Sequence, residues 1–287
     1  MEMIRPFLIG AGIAILTALV ALAASWAIGR RSGRESWLHW GPALAIGAGY
    51  VVFHTMISRP AFPPIEVTDR VPWIALGAMV LGLLESAYPG PAWTRWENRL
   101  LLSALTLGLV LGPVLASATE WRGQVVRLAA LAALLLFCWA NLEALACRGS
   151  TAWLGPALLA VCASTAAALQ LSGHFVGFQL AGGLAAVLGT VWVTSLVAPA
   201  MSLSRGGVPV VTATLAALLM LGNTYSSLPA TSGLLLALAP VAAWVGWIGP
   251  VRRLAPWLSS LVALAAVGLP LVAALGFAFS ASPSSDY

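Results

Sequence analysis

The chain has 287 residues, of which 60% are apolar and only 8% are charged. About a quarter of the residues are charged in a typical soluble domain. A soluble protein of this length has too little interior to bury so much apolar surface, so the composition excludes an ordinary globular domain and predicts a lipid bilayer as the solvent. The net charge is +5, but the basic residues are scattered one to three per loop, which is atypical of nucleic-acid binding.

Stretches of about 17–25 apolar residues, long enough to cross a bilayer as a helix, occur ten times. In chain order the predicted spans cover 7–28, 39–58, 71–88, 99–117, 124–146, 153–171, 175–198, 207–226, 231–248 and 257–279. Backbone polar groups inside a bilayer must be satisfied within the segment, so each span is predicted to be helical. The predicted fold class is therefore all-α, a polytopic transmembrane helix bundle that forms a single domain over residues 1–287.

The arginines predict the orientation of this bundle. All 14 basic residues are arginines, and the loops after odd-numbered spans carry nine of them: Arg30, Arg31, Arg34, Arg95, Arg99, Arg148, Arg205, Arg252 and Arg253. The other side carries five: Arg5, Arg59, Arg70, Arg122 and Arg127. The positive-inside rule then places the nine-arginine side in the cytoplasm and both termini outside. Arginine without lysine, with abundant Ala, Gly and Trp, is typical of a GC-rich bacterial genome, so we expect the bacterial inner membrane.

Two pairs of similar stretches indicate an internal repeat. The pairs are 40–44 (WGPAL) with 153–158 (WLGPAL), and 105–112 (LTLGLVLG) with 215–222 (LAALLMLG). They predict a parallel duplication with halves 37–146 and 151–249, an arrangement known in transporters. Chance similarity in a chain so rich in Leu, Ala and Gly is the alternative.

Polar residues near the predicted outer ends of the spans are candidates for substrate binding. Intramembrane polar groups are costly and tend to face the bundle interior or a watery cavity. This outer set consists of His54, Gln170, His174, Gln179, Asn223, Thr224, Tyr225, Ser226 and Ser227. The residues predicted to bind substrate are His54, Gln170, His174, Asn223 and Tyr225. They would line an outward-facing vestibule that offers neutral hydrogen bonds to a polar substrate. The alternative is that each one meets water or lipid headgroups at the interface.

Acidic residues near the inner ends are candidates for proton coupling. Glu85 lies near the end of the third span, and Glu143 lies near the end of the fifth. A carboxylate shielded from water is a typical proton carrier in pumps and transporters. Glu143 is favoured, because Asn141 precedes it and the surrounding residues are mostly apolar. The alternative is an interfacial pair with a nearby arginine, such as Arg148.

Motifs for catalysis, cofactors or metals do not emerge from the sequence. Without lysine, neither a Walker A loop nor a Schiff-base site can form, and H-E-x-x-H and G-x-S-x-G are absent. Residues 230–233 (ATSG) approach the GxSG of intramembrane serine proteases but lack its first glycine. Ligation of a haem or metal by His54 and His174 is conceivable, but it is a weak signal without further ligands. We expect no enzyme activity, no cofactor and no metal.

Two functions fit this pattern. The first is a secondary transporter or permease for a small molecule, because glycine and proline are frequent within the spans and no soluble domain is present. The second is a non-catalytic subunit or scaffold that packs against other membrane subunits, because few polar residues lie at mid-membrane. The size and span count resemble those of the drug/metabolite transporter superfamily, but no motif accompanies that resemblance. Convergence of the polar groups on one cavity would favour transport.

Overall fold

A computed structural model describes residues 4–33, 36–88, 92–148, 151–203 and 206–282, and within them all regular structure is helical. The long helices are α1 (Ile4–Ser32), α2 (Ser36–Ile57), α3 (Val71–Ala87), α4 (Ala92–Ala116), α5 (Trp121–Arg148), α6 (Thr151–Leu171), α7 (Phe175–Val197) and α8 (Gly207–Tyr225). They are followed by α9 (Ala230–Leu238), α10 (Gly249–Arg252) and α11 (Pro256–Ser280). Short 3₁₀ helices cover Thr68–Arg70 and Pro199–Met201.

Ten stretches within the described ranges are long and apolar enough to cross a membrane. The all-α fold class is therefore confirmed, and the number of these candidate spans agrees with the prediction. The largest difference in bounds is at α4, which begins at Ala92 although the apolar pattern predicts a start at residue 99. Arg95, Glu97 and Arg99 lie in its first turns, so hydropathy alone excludes a segment that is nonetheless helical.

The helix α8 forms the centre of the bundle. It contacts α2, α3, α4, α5 and α7, and 83% of its apolar 18-residue stretch is buried inside the protein. The corresponding fraction for α1 is 22%, and α1 exposes large side chains such as Leu8, Leu16 and Val20. Exposed apolar faces of this kind suit lipid rather than water, so α1 lies at the periphery and α8 is enclosed by protein.

Two glycines allow close helix crossings around this centre. A Cβ atom on Gly183 of α7 would overlap the ring of Phe53 in α2. A Cβ atom on Gly82 of α3 would overlap the backbone carbonyl oxygen of Gly206, immediately before α8. Small residues let membrane helices approach closely without a hydrophobic driving force, and these two positions leave no room for anything larger.

The ninth span changes its geometry halfway. It is α-helical to Leu238 and continues as a 3₁₀ helix over Ala239–Trp247. Pro240 lies at the junction, and because it lacks an N–H it cannot donate to the carbonyl of Leu236 as an α-helical residue would. Runs of 3₁₀ helix longer than about four residues are uncommon. The ninth span is therefore an interrupted helix.

Candidate functional site

Three helices bring an ionic cluster together at one end of the bundle. This end, reached by the chain after each odd-numbered span, is called the arginine-rich end; Arg34 and Arg205, predicted to lie there, are outside the described residues. The cluster consists of Glu85 from α3, Arg95, Asn98 and Arg99 from α4, and Glu143 from α5. Arg99 donates from Nη2 to Glu143 Oε2, and Arg95 Nη1 lies 3.8 Å from Glu143 Oε1.

The two carboxylates of the cluster differ in their partners. Arg99 is 7% exposed, and its guanidinium lies 4.6 Å from the ring centre of Trp96. Because this cation is largely withdrawn from water, the Glu143 carboxylate is needed as its counter-charge. Glu85 has no arginine within ion-pair distance among the described residues, and Asn98 Nδ2 lies 3.5 Å from its Oε1. Glu143 is thus engaged structurally, and Glu85 is the less constrained carboxylate.

The helix α5 also contacts the interrupted ninth span through polar groups. The thiol of Cys138 lies 3.3 Å from the carbonyl oxygen of Ala237, to which it donates. The indole Nε1 of Trp244 donates to Asn141 Oδ1 at 2.9 Å. Arg148, predicted as a partner for Glu143, instead lies over the Trp244 ring at 5.3 Å. Asn141, which precedes Glu143 by two residues, therefore binds the 3₁₀ segment of the ninth span.

At the opposite end, Tyr225 and Arg70 bind backbone carbonyls of α4. Arg70 Nη1 donates to the carbonyl oxygen of Leu109 at 3.0 Å, and Tyr225 Oη donates to that of Val110 at 2.8 Å. Pro113 lies four residues after Leu109 and has no N–H, so the Leu109 carbonyl lacks its helical donor. Arg70 supplies that donor from outside α4. Tyr225 donates to the next carbonyl and so joins α8 to the same turn of α4.

The two histidines predicted to bind substrate, His54 and His174, do not share one site with Gln170 or with Tyr225 and Arg70. His54 is fully buried, and its Nε2 donates to the Thr68 carbonyl oxygen at 3.0 Å. His174 Nδ1 accepts from the Gly177 N–H at 2.8 Å and caps α7; burial lowers its pKa. Gln170 is exposed. Within the described ranges, no three His, Cys, Asp or Glu side chains gather as a metal would require.

A cleft of about 290 Å³ lies between α5, α8 and the ninth span. Its lining residues on α5 are Arg127, Leu131, Leu134, Leu135, Cys138 and Leu142. Those on α8 are Thr212, Leu215, Ala216, Leu219, Met220, Asn223 and Thr224. The ninth span adds Ala230, Gly233, Leu234, Ala237 and Pro240. These positions recur every three or four residues, so each helix presents one face to the cleft.

The polar groups of the cleft gather near the end opposite the ionic cluster. Arg127 Nη2 donates to Thr224 Oγ1 at 3.3 Å, and Asn223 Nδ2 donates to the Leu228 carbonyl oxygen at 3.1 Å. Of the residues predicted to bind substrate, Asn223 lines the cleft. In the sequence, Arg127 contributed only to the prediction of orientation. Its helical spacing to the leucines of α5 nevertheless indicates that it shares their face.

A second cavity, of about 650 Å³, lies between α1, α2 and the segment after α7. Trp26 and Arg30 line it, and the Arg30 guanidinium lies 4.4 Å from the Trp26 ring centre. None of the residues predicted to bind substrate or couple protons lines this cavity.

Within its described residues, the fold is a helical bundle with ten stretches long and apolar enough to cross a membrane, an apolar cleft and an ionic cluster at one end. No family model matches the chain, and comparisons with curated proteins and with solved structures find no match. Function must therefore be inferred from the cleft and the cluster themselves.

Proposed function

We propose that this protein is a secondary transporter for a small molecule in the bacterial inner membrane, with both termini outside. The observation that carries the proposal is the cleft, because one of its walls is the interrupted ninth span. Interrupted helices line the substrate sites of many secondary transporters, and 3₁₀ stretches within helices often act as hinges. Movement of the ninth span against α5 would open or close the cleft.

The ionic cluster would couple this movement to protons. Leu142 lines the cleft, and the next residue, Glu143, belongs to the cluster, so α5 joins the two sites directly. With Glu85 ionised, the two carboxylates balance Arg95 and Arg99. Protonation of Glu85 would leave one positive charge in excess, which would weaken the fit between α3, α4 and α5. The net charge of the cluster would thus change as Glu85 gains or loses a proton, and the position of α5 would change with it.

Proton flux in proteoliposomes tests this proposal. Liposomes that contain a pH-sensitive dye are exposed to a panel of labelled amphiphilic molecules under an imposed pH gradient. We expect uptake of a panel member with proton movement for the wild type and loss of the coupled movement for Glu85→Gln. Glu97→Gln is the matched control, because Glu97 is an exposed carboxylate of the same region. Unchanged flux in both Glu85→Gln and Glu143→Gln would exclude the coupling role.

A second candidate is a non-catalytic subunit or scaffold of a membrane complex. It is favoured by the contacts of His54, His174 and Tyr225, which bind backbone groups within the chain. Polar groups used in this way stabilise the bundle and leave little for a hydrophilic substrate. This candidate is also favoured by the dispersal of the predicted polar groups, because the outer candidates and the two carboxylates do not converge on one cavity. Stoichiometric membrane partners after purification in mild detergent would support this candidate, and coupled flux by the isolated protein would count against it.

A further inference from the structure

We infer that the cleft between α5, α8 and the ninth span binds a single-chain anionic amphiphile, with its head at Arg127 and its hydrocarbon chain along the leucines of α5. The inference rests on the proposed function, since it names the class of molecule that the transporter would carry.

The shape of the cleft suits a hydrocarbon chain. From Arg127 to Leu142 the lining extends over fifteen helical steps, about 22 Å at 1.5 Å per residue. This is a large part of the roughly 30 Å hydrocarbon core of a bilayer. Leucine, alanine and methionine side chains dominate the walls, and a Cβ atom on Gly233 would meet no other atom within 4 Å. An extended chain would therefore find an apolar trough along most of its length.

The volume favours one chain over two. A cavity of about 290 Å³ lies at the lower end of the roughly 300–1,000 Å³ typical of small-molecule sites. A phospholipid would have to place at least one of its two chains outside the cleft. A single-chain amphiphile would fill the site alone.

The charge of the cleft specifies the head group. Among the described residues, no carboxylate lies within 4 Å of Arg127, and its guanidinium donates to Thr224 Oγ1. A guanidinium has five N–H donors, so several remain for a ligand. Cations at the edge of an apolar site are usually paired with an anion. Thr224 contacts Arg127 and the adjacent residue, Asn223, lines the same cleft, so both place further hydrogen-bonding groups near the position of the head.

Equilibrium binding of hexadecylsulfonate tests the inference. The full-length protein is placed in nanodiscs of zwitterionic lipid, and labelled hexadecylsulfonate is compared with hexadecanol, which has the same chain and no charge. The wild type should prefer the sulfonate. Arg127→Gln should weaken sulfonate binding by about 10- to 100-fold, since a charge-assisted hydrogen-bond pair is lost, whereas Arg127→Lys should retain part of it. Arg122→Gln is the control, because Arg122 is exposed at the same helix end.

A second pair of variants tests the position of the chain. Gly233→Leu places a side chain in the open space of the cleft and should reduce the binding of both ligands. Gly276→Leu is its control, since a Cβ atom there also meets nothing within 4 Å but lies on α11 away from the cleft lining. Equal binding of hexadecanol and sulfonate, or full sulfonate binding by Arg127→Gln, would overturn the anionic site. Full binding by Gly233→Leu would overturn the placement of the chain.

Flux separates this inference from the proposed function. A sulfonate stays charged at ordinary pH, so it crosses a bilayer slowly without a carrier, and its translocation in proteoliposomes reports on transport. Binding that depends on Arg127 without translocation would support the site and refute transport of this ligand. Translocation that is unchanged in Arg127→Gln and Gly233→Leu would refute the site and leave the transporter proposal standing.

Discussion

The pair formed by Arg99 and Glu143 gives the sharpest test of the ionic cluster. In Arg99→Met the Glu143 carboxylate, whose side chain is 17% exposed, loses its close partner and keeps only Arg95 at 3.8 Å. Removing one member of a buried ion pair typically costs about 3–5 kcal/mol, because the other charge is left uncompensated. We expect a loss near the lower part of this range, since the half-exposed Arg95 offers partial compensation.

The same glutamate provides the control. Arg95→Met removes a cation whose side chain is 49% exposed, and exposed pairs contribute about 0–1 kcal/mol. The double variant Arg99→Met/Glu143→Leu removes both buried charges and should recover most of the lost stability. The free energy of unfolding is measured by denaturant titration in a mild detergent for the wild type, Arg95→Met, Arg99→Met, Glu143→Leu and the double variant, since additivity requires both single variants. Equal costs for Arg95→Met and Arg99→Met, or strictly additive costs in the double variant, would refute the argument.

Three further predictions concern other parts of the bundle. Arg70→Met should cost about 1.5–3 kcal/mol, the usual contribution of a charged hydrogen bond; adding Pro113→Ala should restore most of it, because residue 113 could then donate to Leu109. Burial keeps the pKa of His174 below its ordinary value of 6.5, and its neutral Nδ1 accepts the capping bond. The stability that this bond contributes to the folded protein is therefore present above pH 6.5 and is lost as the pH falls through the lowered pKa. His174→Asn should keep a cap and remove that part of the pH dependence, as a comparison of the two unfolding curves between pH 7.5 and about 5 would show. Gly82→Ala should cost about 1–3 kcal/mol, since its Cβ would meet a backbone carbonyl that cannot rotate away, whereas Gly276→Ala, with open space around it, should be nearly neutral in the same measurement.

The spans could be predicted from the sequence because lipid imposes a length and an apolar composition on each of them. The charged start of α4 could not, since its arginines break the apolar pattern, and the buried one, Arg99, is paired with Glu143 from α5. That pairing is a tertiary contact between residues 44 positions apart. The 3₁₀ geometry after Leu238 was equally hidden, although Pro240 marked the place.

The candidate site was predicted in fragments. Glu85 and Glu143 were predicted together at the inner end, but the α4 residues that join them into a cluster depend on how α3 and α5 flank α4. Asn223 was predicted as a binding residue and lines the cleft, but Arg127, which lines the same cleft, was treated as an orientation signal. A charged residue at a span end can set the orientation of the chain or line a binding site. Only the packing of the helices shows whether it faces a cleft. The predicted duplication, the orientation and the proton-coupling roles stay predictions.

The length of α5 makes the protein sensitive to the thickness of its membrane. Its 28 residues extend about 42 Å, well beyond a hydrocarbon core of roughly 30 Å, so α5 must tilt or protrude. A thinner bilayer would increase the tilt and a thicker one would reduce it. The enclosed helix α8 has little contact with acyl chains and would stay in place. Membrane thickness would therefore change the position of α5 against α8, and with it the width of the cleft that they line.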